Sequence, residues 1–176
     1  MERQDLAQAH LDGTSVQRLK VPAPAGSVAP ALLAVSCPSA LTCVATGLDE
    51  SKTNGNSFVD YLTGTTWTLG KSPWAKGTKA GWLFGLSCRS GTSCIAVGST
   101  GSGTAHRAAA LILNGRSWTA QHIPAPAKGK VDDLGGVSCV TKKTCVALGD
   151  IGPAKSGQLG PLGASWNGAA WSLKPA

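Results

Sequence analysis

The chain has 176 residues, 42% of them hydrophobic and 14% charged, with a net charge of +7. That length supports one substantial core, and the composition excludes a disordered chain. No apolar run is long enough for a membrane-spanning helix, the opening "MERQDLAQAH" lacks an apolar leader core, and the basic residues are scattered, so no nucleic-acid partner is expected.

In chain order, a glycine mark comes first: "LDGTSV" at 11–16, then "LTGTTW" at 62–67, "LNGRSW" at 113–118 and "WNGAAW" at 166–171. A cysteine mark interleaves with it: "VSCPSALTCVATG" from Val35, "LSCRSGTSCIAVG" from Leu86 and "VSCVTKKTCVALG" from Val137. Cys37, Cys88 and Cys139 stand 51 residues apart, and Cys43, Cys94 and Cys145 keep the same step. A fixed period of this size is the signature of a repeat architecture. Four glycine marks meet only three cysteine marks. Residues 1–29 therefore read as the second half of a unit, followed by units at 30–80, 81–132 and 133–176.

Each unit predicts four strands. Leu32–Ser36 is the first and Cys43–Gly47 the second. The third ends at Tyr61–Leu62, and the fourth starts near Trp67. Asn114-Gly115 and Asn167-Gly168 predict tight hairpin turns, since both residues tolerate φ > 0. Pro22, Pro73 and Pro124 lie beyond the fourth strands, where a missing N–H does no harm. Four antiparallel strands every 50 residues or so predict an all-β chain, a partial β-propeller of about 3.5 blades. The first strand of each blade is expected innermost, with Ala34, Gly85 and Gly136 in the crowded region near the axis.

At these residues the chain resembles the Asp-box (BNR-like) β-propellers. More narrowly, it is similar to the cysteine-paired "SCPS…C-AVG…W-NG-W" repeats of exported bacterial propeller proteins. The Asp-box turn is present only in its second half, as in Gly64-Thr65-Thr66-Trp67. Leu11, Leu62, Leu113 and Trp166 stand where the aspartate would be. The resemblance therefore implies fold and not sialidase chemistry.

Three readings of the cysteines compete. Zinc needs four converging ligands, usually from closer pairs, and a 51-residue step spreads these pairs over separate blades. Free thiols suit a reducing cytosol. One disulfide per complete blade, Cys37–Cys43, Cys88–Cys94 and Cys139–Cys145, is the expected pairing. Each would close a short turn and stabilise by roughly 2–2.5 kcal/mol on a chain-entropy argument. Disulfides imply an extracellular or cell-envelope location. With the half-unit start, they suggest a piece of a longer exported propeller.

No catalytic set converges in the sequence. The single tyrosine, Tyr61, has Ile112 and Ser165 at its place in the other units, and His10, His106 and His122 share no frame position. The loop acids Asp49, Glu50, Asp132, Asp133 and Asp150 could share one face. No metal or cofactor is expected. The inter-blade loops that differ between units predict a binding face. There Trp74 and Trp82 replace small or acidic residues beside Lys71, Lys76 and Lys79, a pattern suited to stacking on a sugar or gripping an acidic polymer. The competing reading is that both tryptophans cover a blade junction. The sequence thus predicts a non-catalytic binding or scaffold module for a protein, glycan or cell-envelope polymer, with no specific homo-oligomer. The alternative is a fragment of a sialidase-fold glycoside hydrolase.

Overall fold

The computed structural model describes residues 6–11, 16–49, 56–76, 81–101, 105–124, 130–155 and 158–175. They form fourteen strands and, among the described residues, no α-helix. The strands β1 (Leu6–Leu11) and β2 (Val16–Val21) make an antiparallel pair. Three four-stranded antiparallel sheets follow. Unit one is β3 (Pro30–Ser39), β4 (Thr42–Asp49), β5 (Asn56–Thr63) and β6 (Thr66–Leu69). Unit two is β7 (Gly81–Ser90), β8 (Ser93–Thr100), β9 (Arg107–Asn114) and β10 (Ser117–Gln121). Unit three is β11 (Lys130–Thr141), β12 (Thr144–Pro153), β13 (Gly160–Trp166) and β14 (Trp171–Pro175). A single parallel bridge, Asn56 to Gly81, joins the corners of units one and two.

The first strand of every unit carries a register shift at one frame position: Leu32/Ala34, Leu83/Gly85 and Leu134/Gly136. A bulge there adds local twist. The cysteines are oxidised pairwise as expected, Cys37–Cys43, Cys88–Cys94 and Cys139–Cys145, with Cα atoms 4.0–4.1 Å apart. One detail differs from the turn expected. Asn114 pairs with Ser117, so the two-residue loop is Gly115-Arg116, with Gly115 at φ 66°. Asparagine stays in the ladder, and glycine takes the left-handed position at no steric cost.

The core lies between the sheets. At a leading seam, Val21 and Leu19 of β2 pack on Cys43, Ala45, Leu62 and Trp67 of unit one. At the first full seam, Val44, Val59 and Tyr61 meet Leu83, Leu86, Cys94, Ala96, Leu111 and Leu113. At the second, Ile95, Val97 and Ala110 meet Leu134, Cys145, Ala147, Leu162, Ala164, Trp166 and Trp171. Strands β4 and β8 are therefore covered on both faces and β12 on one. Val146 and Leu148 are 56% and 64% exposed, whereas their frame mates Val44 and Val97 are fully buried.

One device recurs at both full seams. The Ser36 hydroxyl accepts the Cys88 amide at 2.9 Å, and the Ser87 hydroxyl accepts the Cys139 amide at 3.1 Å. The serine of one "S-C" mark thus grips the cysteine backbone of the next. At the second seam the first strands also approach closely, since a Cβ on Gly85 would sit 2.7 Å from Gly136 Cα. A Cβ on Gly136 would meet nothing within 4 Å.

Candidate functional site

The sheet ends fall into two groups. The turns β3–β4, β5–β6 and their equivalents form a hairpin-turn end, tied together by Gly64 N–H to Leu41 O and Gly115 N–H to Thr92 O. The connections that vary between units form the loop end.

At the loop end, Trp74 offers only part of its ring. Its indole lies on Gly81, where a Cβ would sit 2.3 Å from Trp74 Cε2, and it packs against the first-seam cluster. Trp82 is on β7, with its ring centroid 6.2 Å from that of Phe84. The two tryptophans do not stack on each other, and both indole N–H groups are buried without a hydrogen-bond partner. Lys71 and Lys76 are exposed beyond β6, and Lys79 lies outside the described residues. The two tryptophan rings thus do not form a stacked pair. Trp74 is chiefly a seam residue, permitted by the bare Gly81 at the place of Pro30 and Asp132.

Two open clefts flank this region. One, of about 390 Å³, is lined by Ser72, Pro73, Trp74, Thr100, Trp118 and Ala120, between the outer strands of units one and two. The other, of about 240 Å³, is lined by Asp49, Ser57, Phe58, Leu69 and Gly70 among others.

Polar groups near the loop end cross the seams in opposite directions. At the first seam, the Ser57 hydroxyl of β5 accepts Leu83 N–H at 2.9 Å and donates to Gly81 O at 3.0 Å. At the second, Ala108 holds the place of Ser57, and Asp132 of β11 reaches back to accept the Ala108 amide at 3.2 Å. Burial raises the Asp132 pKa, against the lowering effects of the Ala108 amide and Arg107. Next to it, Asp133 faces Asp150 across the β11–β12 ladder, with His106 Nε2 4.0 Å from its carboxylate. Burial and then the Asp150 charge raise the Asp133 pKa. Among the described residues no group of three or more His, Cys, Asp or Glu side chains is arranged to hold a metal ion.

Tyr61, the single tyrosine, is buried. Its hydroxyl accepts the Trp118 indole N–H at 3.0 Å, and the Arg116 guanidinium lies 4.5 Å above its ring centroid. Desolvation raises its pKa, opposed by Trp118 and Arg116. It seals the first seam and is inaccessible to a substrate. Beside it in sequence, Asp60 is fully buried with neither carboxylate oxygen hydrogen-bonded. Desolvation alone lifts its pKa from 3.8 to about 7. The signal for it in the sequence is an acid at a mid-strand place held by Leu111 and Ala164 in the other units.

No protein-family model matches the chain, and no curated protein matches it.

Proposed function

We propose that the chain is a run of blades from an exported, Asp-box-like β-propeller, acting as a non-catalytic recognition module through its loop end. The stacking of disulfide-closed four-stranded sheets in chain order, first strand beside first strand, supports the propeller reading. The disulfides agree with an oxidising location, and no helix among the described residues is long and apolar enough to cross a membrane. The observation that carries the binding reading is the cleft of about 390 Å³ at the first seam. It has an aromatic wall of Trp74 and Trp118 and polar Ser72 and Thr100 at its edge, a composition suited to a glycan or an extended polymer. The test is a glycan and envelope-polymer array probed with the wild-type chain and with Ala120→Glu. Ala120 is exposed and lines the cleft, so the variant should lose binding and keep its melting temperature. Binding unchanged by that charge would remove the cleft from the proposal.

A glycoside hydrolase fragment is the second reading, favoured by the facing carboxylates Asp133 and Asp150 with His106 beside them. Turnover of fluorogenic glycosides, lost in Asp133→Asn, would replace the first reading with this one.

A further inference from the structure

The hairpin-turn end differs in charge from the loop end. The described carboxylates Asp49, Asp132, Asp133 and Asp150 lie at the loop end, and Asp60 is buried within unit one. The hairpin-turn end carries Arg89, Arg116, Lys142 and Lys143 and, among the described residues, no acid. The loop end mixes its carboxylates with Lys71, Lys76, Arg107, Lys130 and Lys155, so what sets the hairpin-turn end apart is cations with no described acid among them, a setting that favours an anionic partner.

At that end the second seam opens into a cleft of about 200 Å³. Its apolar floor is Ile95 and Ile112, and its rim includes Arg89, Lys142 and Asn114. At the first seam Tyr61 fills the corresponding place. Ile112 stands at the place of Tyr61, a buried residue whose ring sits beneath the Arg116 guanidinium. Where tyrosine closes the first seam, isoleucine leaves room for one aromatic side chain. The cations are specific to the second seam as well, because Arg89 and Lys142 have Pro38 and Gly91 as frame mates. Neither has a carboxylate partner among the described residues. The Arg89 guanidinium is held across the seam by donating to Val140 O at 2.6 Å, so little of its freedom is left to lose on binding.

We propose that this cleft binds an acidic peptide segment through an aromatic anchor. The anchor ring enters over Ile95 and Ile112, repeating in trans the packing of Tyr61, and flanking carboxylates meet Arg89 and Lys142. A sugar ring fits the site less well, because its floor is aliphatic and offers no aromatic face. The site is distinct from the loop-end cleft and does not depend on that reading.

The test is fluorescence anisotropy under non-reducing conditions with fluorescein-labelled Glu-Asp-Tyr-Asp-Glu. The comparison peptides carry glycine for the tyrosine, or lysine for the acids. Saturable binding is expected for the acidic tyrosine peptide, weakening with added salt. The glycine and lysine peptides should bind at least about tenfold more weakly. Lys142→Glu and Arg89→Ala, both at exposed positions, should each weaken binding by about tenfold, and Ile112→Tyr should abolish it by filling the cleft. If Ile112→Tyr fails to fold, the two rim variants decide the matter. Absent saturable binding overturns the proposal, as does binding unchanged by the rim variants. Equal binding of the glycine peptide would mean charge attraction alone, which a sulfated oligosaccharide would share, and would overturn the anchor.

Discussion

At the first seam Tyr61 lies beneath Arg116 and takes the Trp118 indole N–H; at the second, Ile112 stands in its place and the Trp171 N–H is buried with no partner. Near the loop end the same two seams are bridged by Ser57 reaching forward and by Asp132 reaching back. The backbone device does not change: the serine hydroxyl on the next cysteine amide holds both seams. One set of positions fixes how sheets stack. The other is free to vary, and where it varies it leaves unpaired polar groups or open volume.

The largest expected effect comes from Asp60 at the leading seam, set against its mate Leu111 at the first. The folded state holds the Asp60 proton up to about pH 7, while the unfolded chain releases it near 3.8. Its contribution is therefore complete below the unfolded pKa and is lost as pH rises from about 4 to 7. At about 1.4 kcal/mol per pH unit, the loss approaches roughly 4 kcal/mol at pH 8. Urea unfolding of Asp60→Leu should show a gain of this order at pH 8 and little at pH 4. A variant less stable than wild type at both pH values would show that Asp60 has a partner in solution.

A matched glycine pair breaks the likeness between a covered inner strand and an open one. Gly85→Ala forces the inner strands of units two and three apart and should cost about 1–3 kcal/mol. Gly136→Ala projects into open space and should stay within about 0.5 kcal/mol. Equal losses in denaturant melts would mean that another surface covers Gly136.

Smaller still are the hydroxyl variants. Tyr61→Phe orphans the Trp118 N–H and should cost about 1 kcal/mol. Ser36→Ala removes the acceptor for Cys88 N–H, with a similar expectation of about 1 kcal/mol. Ser138→Ala, at the last and exposed copy of that serine, should be neutral. Calorimetry that ranks Ser138→Ala with Ser36→Ala would contradict the seam as described.

Much of the strand layout was legible because backbone geometry repeats with the chain. The 51-residue step, lengthened to 53 before the last glycine mark, marked four strands in each of the three units, and the cysteine pairs followed from two positions flanking one turn. The candidate site was less legible, because it depends on pairs that a linear frame does not connect. Trp74 looked like an extra aromatic in a loop. Its packing surface is Gly81, seven residues on, and only the fold brings the ring over that missing side chain. Ile112 at the place of Tyr61 was visible in the sequence. That this exchange opens a cleft under Arg89 and Lys142 depends on a neighbouring sheet, which the frame does not reveal.

The serine-to-cysteine hydrogen bond gives the stack a direction. The acceptor belongs to the earlier unit and the donor to the later one, and both lie within the same short "S-C" segment. A 51-residue block duplicated in frame would bring one of each. It would dock on its predecessor and present the same acceptor to its successor without any new interface evolving. An array built this way can lengthen by copying alone, and variation can then act on the seam side chains that copying leaves free to diverge.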